Sequence, residues 1–455
     1  MAFTASSINV FRPNLSMYFG QIYQCVAYAL CVTFYGKLKM LYRDRIVDVE
    51  LIERLAATGA VLIEGPKACG KTETALRLAK SSVMLDVDTE AKRALSVDPL
   101  LVLEGAVPRL IDEWQESPSI WNDVRRLVDQ RRTFGQFILT GSSVPNDDTK
   151  RHSGAGRFSI LTMRPMTLLE MGFSTGQVSL TNLMEGEAPK SGEVALSLQD
   201  LTDLIVRGGW PRNLELSSRV AARSVRDYLD NICNVDVQRL AGAYRDPQRL
   251  KRFLRSFARN VATEVAIGVL GYEAGGESGP LAHNTVVSYL DALERLMVIE
   301  NQPAWSPHLR SRTMLRNSPK RHFVDPSLAV AALGATSERL VRDLELLELL
   351  FESLVVRDLR VFSQPLDGEV FHYRDKGGQE VDAVVQLRDG RWAAFEVKLG
   401  AGRIDEGAAS LLRFVGKIDR DRTGEPSMLG VITPGGYSYM RPDGVAVIAL
   451  AALGP

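Results

Sequence analysis

Gly65-Pro66-Lys67-Ala68-Cys69-Gly70-Lys71-Thr72 is the stretch on which the reading of this chain turns. The octet matches GxxxxGK[ST] at every specified position. It lies between an apolar run, Ala60 to Glu64, and a helical pattern that begins at Thr72, so the order is strand, loop, helix. Glycines at both ends let backbone N–H groups curl around phosphate oxygens, and the helix N-terminus adds the positive end of its dipole. Lys71 is expected to reach the β and γ phosphates, and the Thr72 hydroxyl to take a Mg²⁺ position. The residues Gly65, Pro66, Lys67, Ala68, Cys69, Gly70, Lys71 and Thr72 are therefore expected to hold ATP.

Three more apolar runs with strand character follow, Val83 to Val87, Val107 to Ile111 and Gln136 to Thr140. Between them lie helix-like stretches, Thr89 to Leu95 and Ile120 to Arg131. Such alternation predicts a parallel sheet with both faces covered. A magnesium nucleotide needs a carboxylate at the end of a neighbouring strand, and Leu110-Ile111-Asp112-Glu113 supplies one. Asp112 is expected to hold the ion through water. Glu113 is expected to orient or deprotonate the attacking water, which turns binding into hydrolysis. Thr140-Gly141-Ser142-Ser143 is a polar strand end suited to sensing a γ phosphate, with Thr140 as the nucleotide contact.

At 455 residues the chain is too long for a single core, and several domains are expected. Lysine plus arginine, 55, equals aspartate plus glutamate, 55, so no global field steers it toward nucleic acid; a local basic patch would be needed. The four cysteines, Cys25, Cys31, Cys69 and Cys233, form no CxxC pair, which excludes a disulfide framework and a zinc-ribbon pattern and fits a reducing cytoplasm. The first 39 residues contain no acidic residue and include an apolar run, Tyr18 to Tyr35, broken by Gly20, Gln21 and Gln24. No signal-peptide pattern is present there, a membrane span is not expected, and translation is expected to begin at Met40.

Between Ser197 and Glu300 the periodicity becomes helical, as in Ala221 to Leu240 and Leu250 to Val269. The turn Gly208-Gly209-Trp210-Pro211 punctuates it. In Leu281 to Leu293 the apolar positions Val286, Leu290 and Leu293 repeat at helical spacing behind Asn284 and Thr285, read as a cap, and Glu294 to Ile299 continues as a wing-like strand. That helix is poor in basic residues, so a packing role is favoured over a DNA-reading one. Arg310, Arg312, Arg316, Lys320 and Arg321 form the better phosphate-contact candidate.

From Phe323 a second α/β unit is expected. It has a long helix from Asp343 to Leu359, strands at Glu369 to Arg374, Glu380 to Leu387 and Trp392 to Lys398, a helix from Asp405 to Val415, and strands at Met428 to Ile432 and Val445 to Ile448. Asp389-Gly390 marks a hairpin. Glu396-Val397-Lys398 ends a strand with both charges on one face. With Asp382 on the preceding strand and Glu352 on the helix, the order resembles that of restriction-endonuclease-like PD-(D/E)xK nucleases. That resemblance implies Asp382, Glu396 and Glu352 as Mg²⁺ ligands and Lys398 as the residue that positions or activates water. Asp325 in Phe323-Val324-Asp325-Pro326 reads as a helix N-cap.

Taken together, Gly65 to Thr72, Ile111-Asp112-Glu113-Trp114-Gln115, Ile138 to Ser143, Gly156-Arg157 and Arg164-Pro165-Met166-Thr167-Leu168-Leu169-Glu170 resemble the AAA-type ATPases that carry a DUF4143 domain after the ATPase core. The resemblance covers about Leu41 to the C-terminus and implies Arg157 as an arginine finger or sensor, while a purely structural Arg157 stays open. The expected architecture is α/β: an extension at 1–39, a P-loop parallel-sheet ATPase domain at 40–172, a helical, winged-helix-like section at 173–322, and a nuclease-like domain at 323–455, with DUF4143 spanning the last two. Two functions stand side by side. One is an ATPase coupled to a domain that cuts or grips DNA or RNA; the other is a nucleotide-switched protein-interaction ATPase on an inactive nuclease-like scaffold. ATP and Mg²⁺ serve both, and further copies of the chain are candidate partners.

Overall fold

Alternation along one short strand organises the first layer. In the computed structural model, which describes residues 42–141, 153–238, 246–307 and 318–455, helix α1 (Val47–Ala57) leads into β1 (Ala60–Glu64), and α2 (Lys71–Leu78) follows the glycine loop. Val61 and Ile63 point to one face with Leu51, Leu55 and Ala75, whereas Ala60 and Leu62 point to the other with Trp114, Trp121 and Val124. Both faces are covered, so the strand reads as an unbroken apolar run. With β2 (Ser81–Met84), β3 (Arg109–Asp112), α3 (Ile120–Arg131), β4 (Phe137–Gly141) and β5 (Phe158–Thr162), the sheet has the order β2-β3-β4-β1-β5, all parallel. Strand β2 begins at Ser81 rather than Val83. It pairs only with β3, and an edge strand tolerates Ser81 and Ser82 where a central one would not.

Two short strands, β6 (Val178–Ser179) and β7 (Ser191–Val194), precede helices α4 (Leu198–Arg207), α5 (Ser218–Asn231), α6 (Pro247–Arg259), α7 (Ile267–Gly275) and α8 (His283–Arg295). The stretch read as one helix from Leu250 to Val269 is two, because the chain turns at Ala262, whose φ is 58°. Helix α5 ends in a π-helical segment, Ile232–Asp236. Helix α8 buries Val286, Leu290 and Leu293 as expected, but Ala282 is its N-cap and no side chain caps it; Asn284 and Thr285 already lie inside the first turn. After α8, isolated antiparallel bridges join Ile299 to Phe323 and Gln302 to Lys320.

Helix α9 (Pro326–Leu333) and the long α10 (Leu344–Ser363) lead into the last sheet. Strands β8 (Gly368–Arg374), β9 (Glu380–Leu387) and β10 (Trp392–Val397) form an antiparallel meander. Helix α11 (Ile404–Val415) then crosses to β11 (Met428–Thr433), which runs parallel to β10. With β12 (Gly436–Met440) and β13 (Ala446–Ala449) the order is β7-β12-β13-β11-β10-β9-β8. The segment that follows the first sheet is thus woven into the last one, through β7 on β12 and through β6 on β14 (Leu453–Gly454). Among the described residues no helix is long and apolar enough to cross a membrane. The extension at 1–39, Ser142, Ser143, Arg310, Arg312 and Arg316 lie outside the described residues.

Candidate functional site

The glycine loop is held by contacts that only its own sequence permits. A Cβ on Gly65 would stand 2.2 Å from the carbonyl oxygen of Met163, and Gly70 has a φ of 110°, a conformation that L side chains rarely adopt. Lys71 is buried, and its ammonium donates to the carbonyls of Gly65 and Pro66, each at 2.9 Å. From the first turn of α2, Thr72 Oγ1 donates to Asp112 Oδ1 at 2.9 Å. Thr140, at the end of β4, donates to the same oxygen. Strands β1, β3 and β4 therefore bring loop, carboxylate and hydroxyl together, as their register requires.

Glu113 follows with a φ of 53°, in the left-handed region, which turns its side chain away from Asp112; Gln115 Nε2 donates to its carboxylate. Burial pushes the Glu113 carboxyl up from the ordinary value, against the lowering pull of Gln115 and Lys71. The chemistry of the set fits a hydrated divalent cation on Thr72 and Asp112 beside a water-facing carboxylate. Arg157 is placed otherwise. Its carbonyl pairs with Ala60 N at the start of β1, the end of the sheet opposite the loop, and its guanidinium donates to Asp129 at 2.8 Å on the surface. It cannot reach the phosphates bound by its own chain, because the length of β1 separates them.

Three features that the sequence reading left aside support the loop. Arg45, buried, donates to the carbonyls of Cys69 and Arg164, both at 2.8 Å, and to Glu170 at 3.0 Å, so it ties the loop backbone to the segment after β5. Gly208 and Gly209 pack where side chains would not fit: a Cβ on Gly209 would lie 2.2 Å from the Met166 oxygen. Gly209 N donates at 2.9 Å to Asp325, which accepts from Arg357 at 2.7 Å; Arg357 also donates to Asp358, and Asp358 accepts from Leu168 N. Asp325 is the N-cap of α9, as read, and also half of a fully buried ion pair. Lastly, Lys67 in the loop pairs with Asp236 of the π-helical segment at 2.5 Å. The turn at 208–211 signalled only a loop in the sequence; its second role depends on residues more than a hundred positions away.

The charged set in the C-terminal sheet does come together, with an addition. Lys398 donates to Glu396 at 2.9 Å, and Ser410 donates to the other Glu396 oxygen. Asp382 Oδ2 accepts from Val397 N at 2.9 Å. Lys320 reaches Glu352 at 2.5 Å and Asp382 at 3.3 Å from a buried position. The reading of Lys320 as a surface phosphate contact is thereby corrected. Burial raises Glu352 to about 8 and Glu396 to about 7, while Lys320 and Lys398 outweigh burial at Asp382 and hold it low. Two ammonium groups face three carboxylates, so the carboxylate least served by a cation favours its proton. Among the described residues no group of three or more His, Cys, Asp or Glu side chains has a geometry that could hold a metal ion. The expected ligands Glu352, Asp382 and Glu396 are neighbours, but Lys320 stands among them.

A cleft of about 350 Å³ opens away from the glycine loop, lined by Arg54, Arg164, Glu300, Arg360 and Gln364 between β5 and β8. Its charges are already matched. Arg164 donates to Glu300 at 2.6 Å and Arg360 lies 3.4 Å away, and together they outweigh burial and bring Glu300 down to about 2.

A parallel sheet with a phosphate loop after β1 and an Asp-Glu pair after β3 defines a P-loop protein of the ATPase class. Residues 57–172 match the family model described as an AAA domain, and residues 348–453 match a domain of unknown function, DUF4143, in the order expected from the sequence. A further domain of unknown function, DUF8612, matches residues 198–339, the helical section. The chain thus joins an AAA domain to a DUF4143 domain. Among solved structures it is similar to a Walker-type ATPase of Pyrococcus abyssi, at 11% identity and a TM-score of 0.39, over 63% of this chain and 94% of that one. Comparison with curated proteins gives no match.

Proposed function

We propose that the chain binds ATP with Mg²⁺ at Gly65–Thr72 and hydrolyses it. The observation that carries this reading is the convergence of Thr72 and Thr140 on one oxygen of Asp112, directly beside the loop. Thr72 and Asp112 would hold the ion, whose chemistry is to neutralise charge on the phosphates. Lys71 would exchange its two loop carbonyls for phosphate oxygens. Glu113 takes the proton of a water whose oxygen bonds to the γ phosphorus; the bond to the bridging oxygen breaks, and ADP leaves with that electron pair.

For the C-terminal domain, the position of Lys320 favours the nucleotide-switched interaction reading over phosphodiester cleavage. A buried ammonium shared by Glu352 and Asp382 supplies the positive charge that metal ligands would otherwise seek. Paired assays test both parts on wild type, Lys71→Ala, Glu113→Gln and Asp382→Ala. Lys71→Ala should abolish nucleotide binding, and Glu113→Gln should keep binding while turnover falls by about 10² or more. Turnover unchanged in Glu113→Gln would refute its role. Mg²⁺-dependent cleavage of DNA or RNA by wild type, lost in Asp382→Ala, would restore the nuclease reading.

A further inference from the structure

The helical section touches the glycine loop at a defined place. Pro211 Cγ lies 3.7 Å from the point where a Cβ on Gly70 would stand, at the N-terminus of α2. The turn that carries Pro211 is rigidly held. Met166 N donates to Gly209 O at 2.7 Å, Gly209 N donates to Asp325, Trp210 Nε1 donates to Ser327 at 3.0 Å, and Asn213 Nδ2 donates to the carbonyl of Arg207 at 3.1 Å. Between Pro211 and Asn213 stands Arg212, half-buried. Among the described residues its guanidinium has neither a hydrogen-bond nor an ion-pair partner.

A half-buried guanidinium without an acceptor is costly to keep, and an anion supplied from outside removes the cost. The other arginines around the loop are committed. Arg45 is spent on Cys69, Arg164 and Glu170; the side chain of Arg164 is spent on Glu300; Arg157 is at the far end of the sheet. Lys71 supplies a point charge from below the phosphates, and a planar fork from the opposite side would complete their cage.

We propose that Arg212 contacts the γ phosphate of ATP bound in the same chain, as a catalytic residue furnished by the helical section. The proposal rests on the P-loop reading above and adds to it a phosphate contact from outside the AAA domain. It also gives ATP a grip on the turn anchored by Asp325 and Arg357. The loss of the γ phosphate on hydrolysis releases that grip.

The full chain, with Mg²⁺, is titrated with fluorescent ATP and ADP analogues and assayed for turnover as wild type, Lys71→Ala, Arg212→Ala and Arg212→Lys. Arg212→Ala should weaken ATP binding about tenfold or more, leave ADP binding within about twofold, and slow turnover at least about tenfold; Arg212→Lys should fall between. Its melting temperature should match wild type, since no partner is lost. An unchanged ATP-to-ADP affinity ratio in Arg212→Ala overturns the proposal, and so does an equal loss of both nucleotides with a lowered melting temperature. Wild type that binds ATP without turning it over leaves the affinity ratio to decide. Wild type that binds neither nucleotide overturns the P-loop reading and this proposal together, whereas loss confined to Arg212→Ala separates them.

Discussion

Lys320 donates to Glu352 at 2.5 Å from inside the sheet–helix interface, where both side chains are nearly inaccessible to water. The pair is made by a bridge segment, residues 320–323, that returns beside Gln302 and Ile299 and so carries the ammonium under α10. Desolvation of such a pair is large, and removal of one member leaves an uncompensated charge. Lys320→Met should therefore lower unfolding stability by about 3–5 kcal/mol in chemical denaturation. Adding Glu352→Gln to Lys320→Met should recover part of the loss, since the orphaned carboxylate is gone. An additive double mutant would show that the two side chains do not interact.

Arg357 is the second buried cation whose partners lie far apart in sequence. It binds Asp325 and Asp358, and these in turn hold Gly209 N and Leu168 N. Arg357→Met strands two carboxylates at once, and a loss of about 3–5 kcal/mol is expected. Thermal unfolding of the variant checks this; a midpoint within a degree or two of wild type would contradict it.

Gly209→Ala places a methyl carbon 2.2 Å from a backbone carbonyl oxygen that is itself fixed, so the turn must move. A destabilisation of about 2 kcal/mol or more is expected. Gly268→Ala is the contrast: within α7, nothing lies within 4 Å of the new Cβ, and helix propensity predicts a gain of up to about 1 kcal/mol. Denaturation midpoints that move the same way in both variants would refute the packing argument.

Acid should release the bond between β5 and the C-terminal domain. Glu300 has its folded pKa lowered to about 2 by Arg164 and Arg360, below the value it has in the unfolded chain. Its contribution is therefore present above the ordinary carboxylate range and is lost as pH falls from that range toward 2. The effect is on the order of 2 kcal/mol, discounted for its partial exposure. Glu300→Gln should flatten the acid limb of the stability profile between about pH 4 and pH 2. An unchanged limb would show that other carboxylates dominate.

Local patterns carried much of this fold into the sequence. The run Ala60–Glu64, the helix Ile120–Arg131 and the strand Glu380–Leu387 are legible because a strand buried on both faces is apolar throughout, and an amphipathic helix repeats every three to four residues. Strand β7 was not legible. Ser191–Val194 is a short, polar edge whose state is set by the partner β12, more than two hundred residues on.

The loop Gly65–Thr72 and the pair Asp112-Glu113 were set by the sequence alone, because phosphate and metal chemistry demand fixed residue types at fixed spacing next to strand ends. The meaning of other charges was decided only by tertiary structure. Arg157 went to the wrong end of the sheet, Lys320 went inside among carboxylates, Asp325 became half of an ion pair, and Arg212 was left beside the loop without a partner. A charged side chain is defined by what it is buried against, and that depends on how distant segments return.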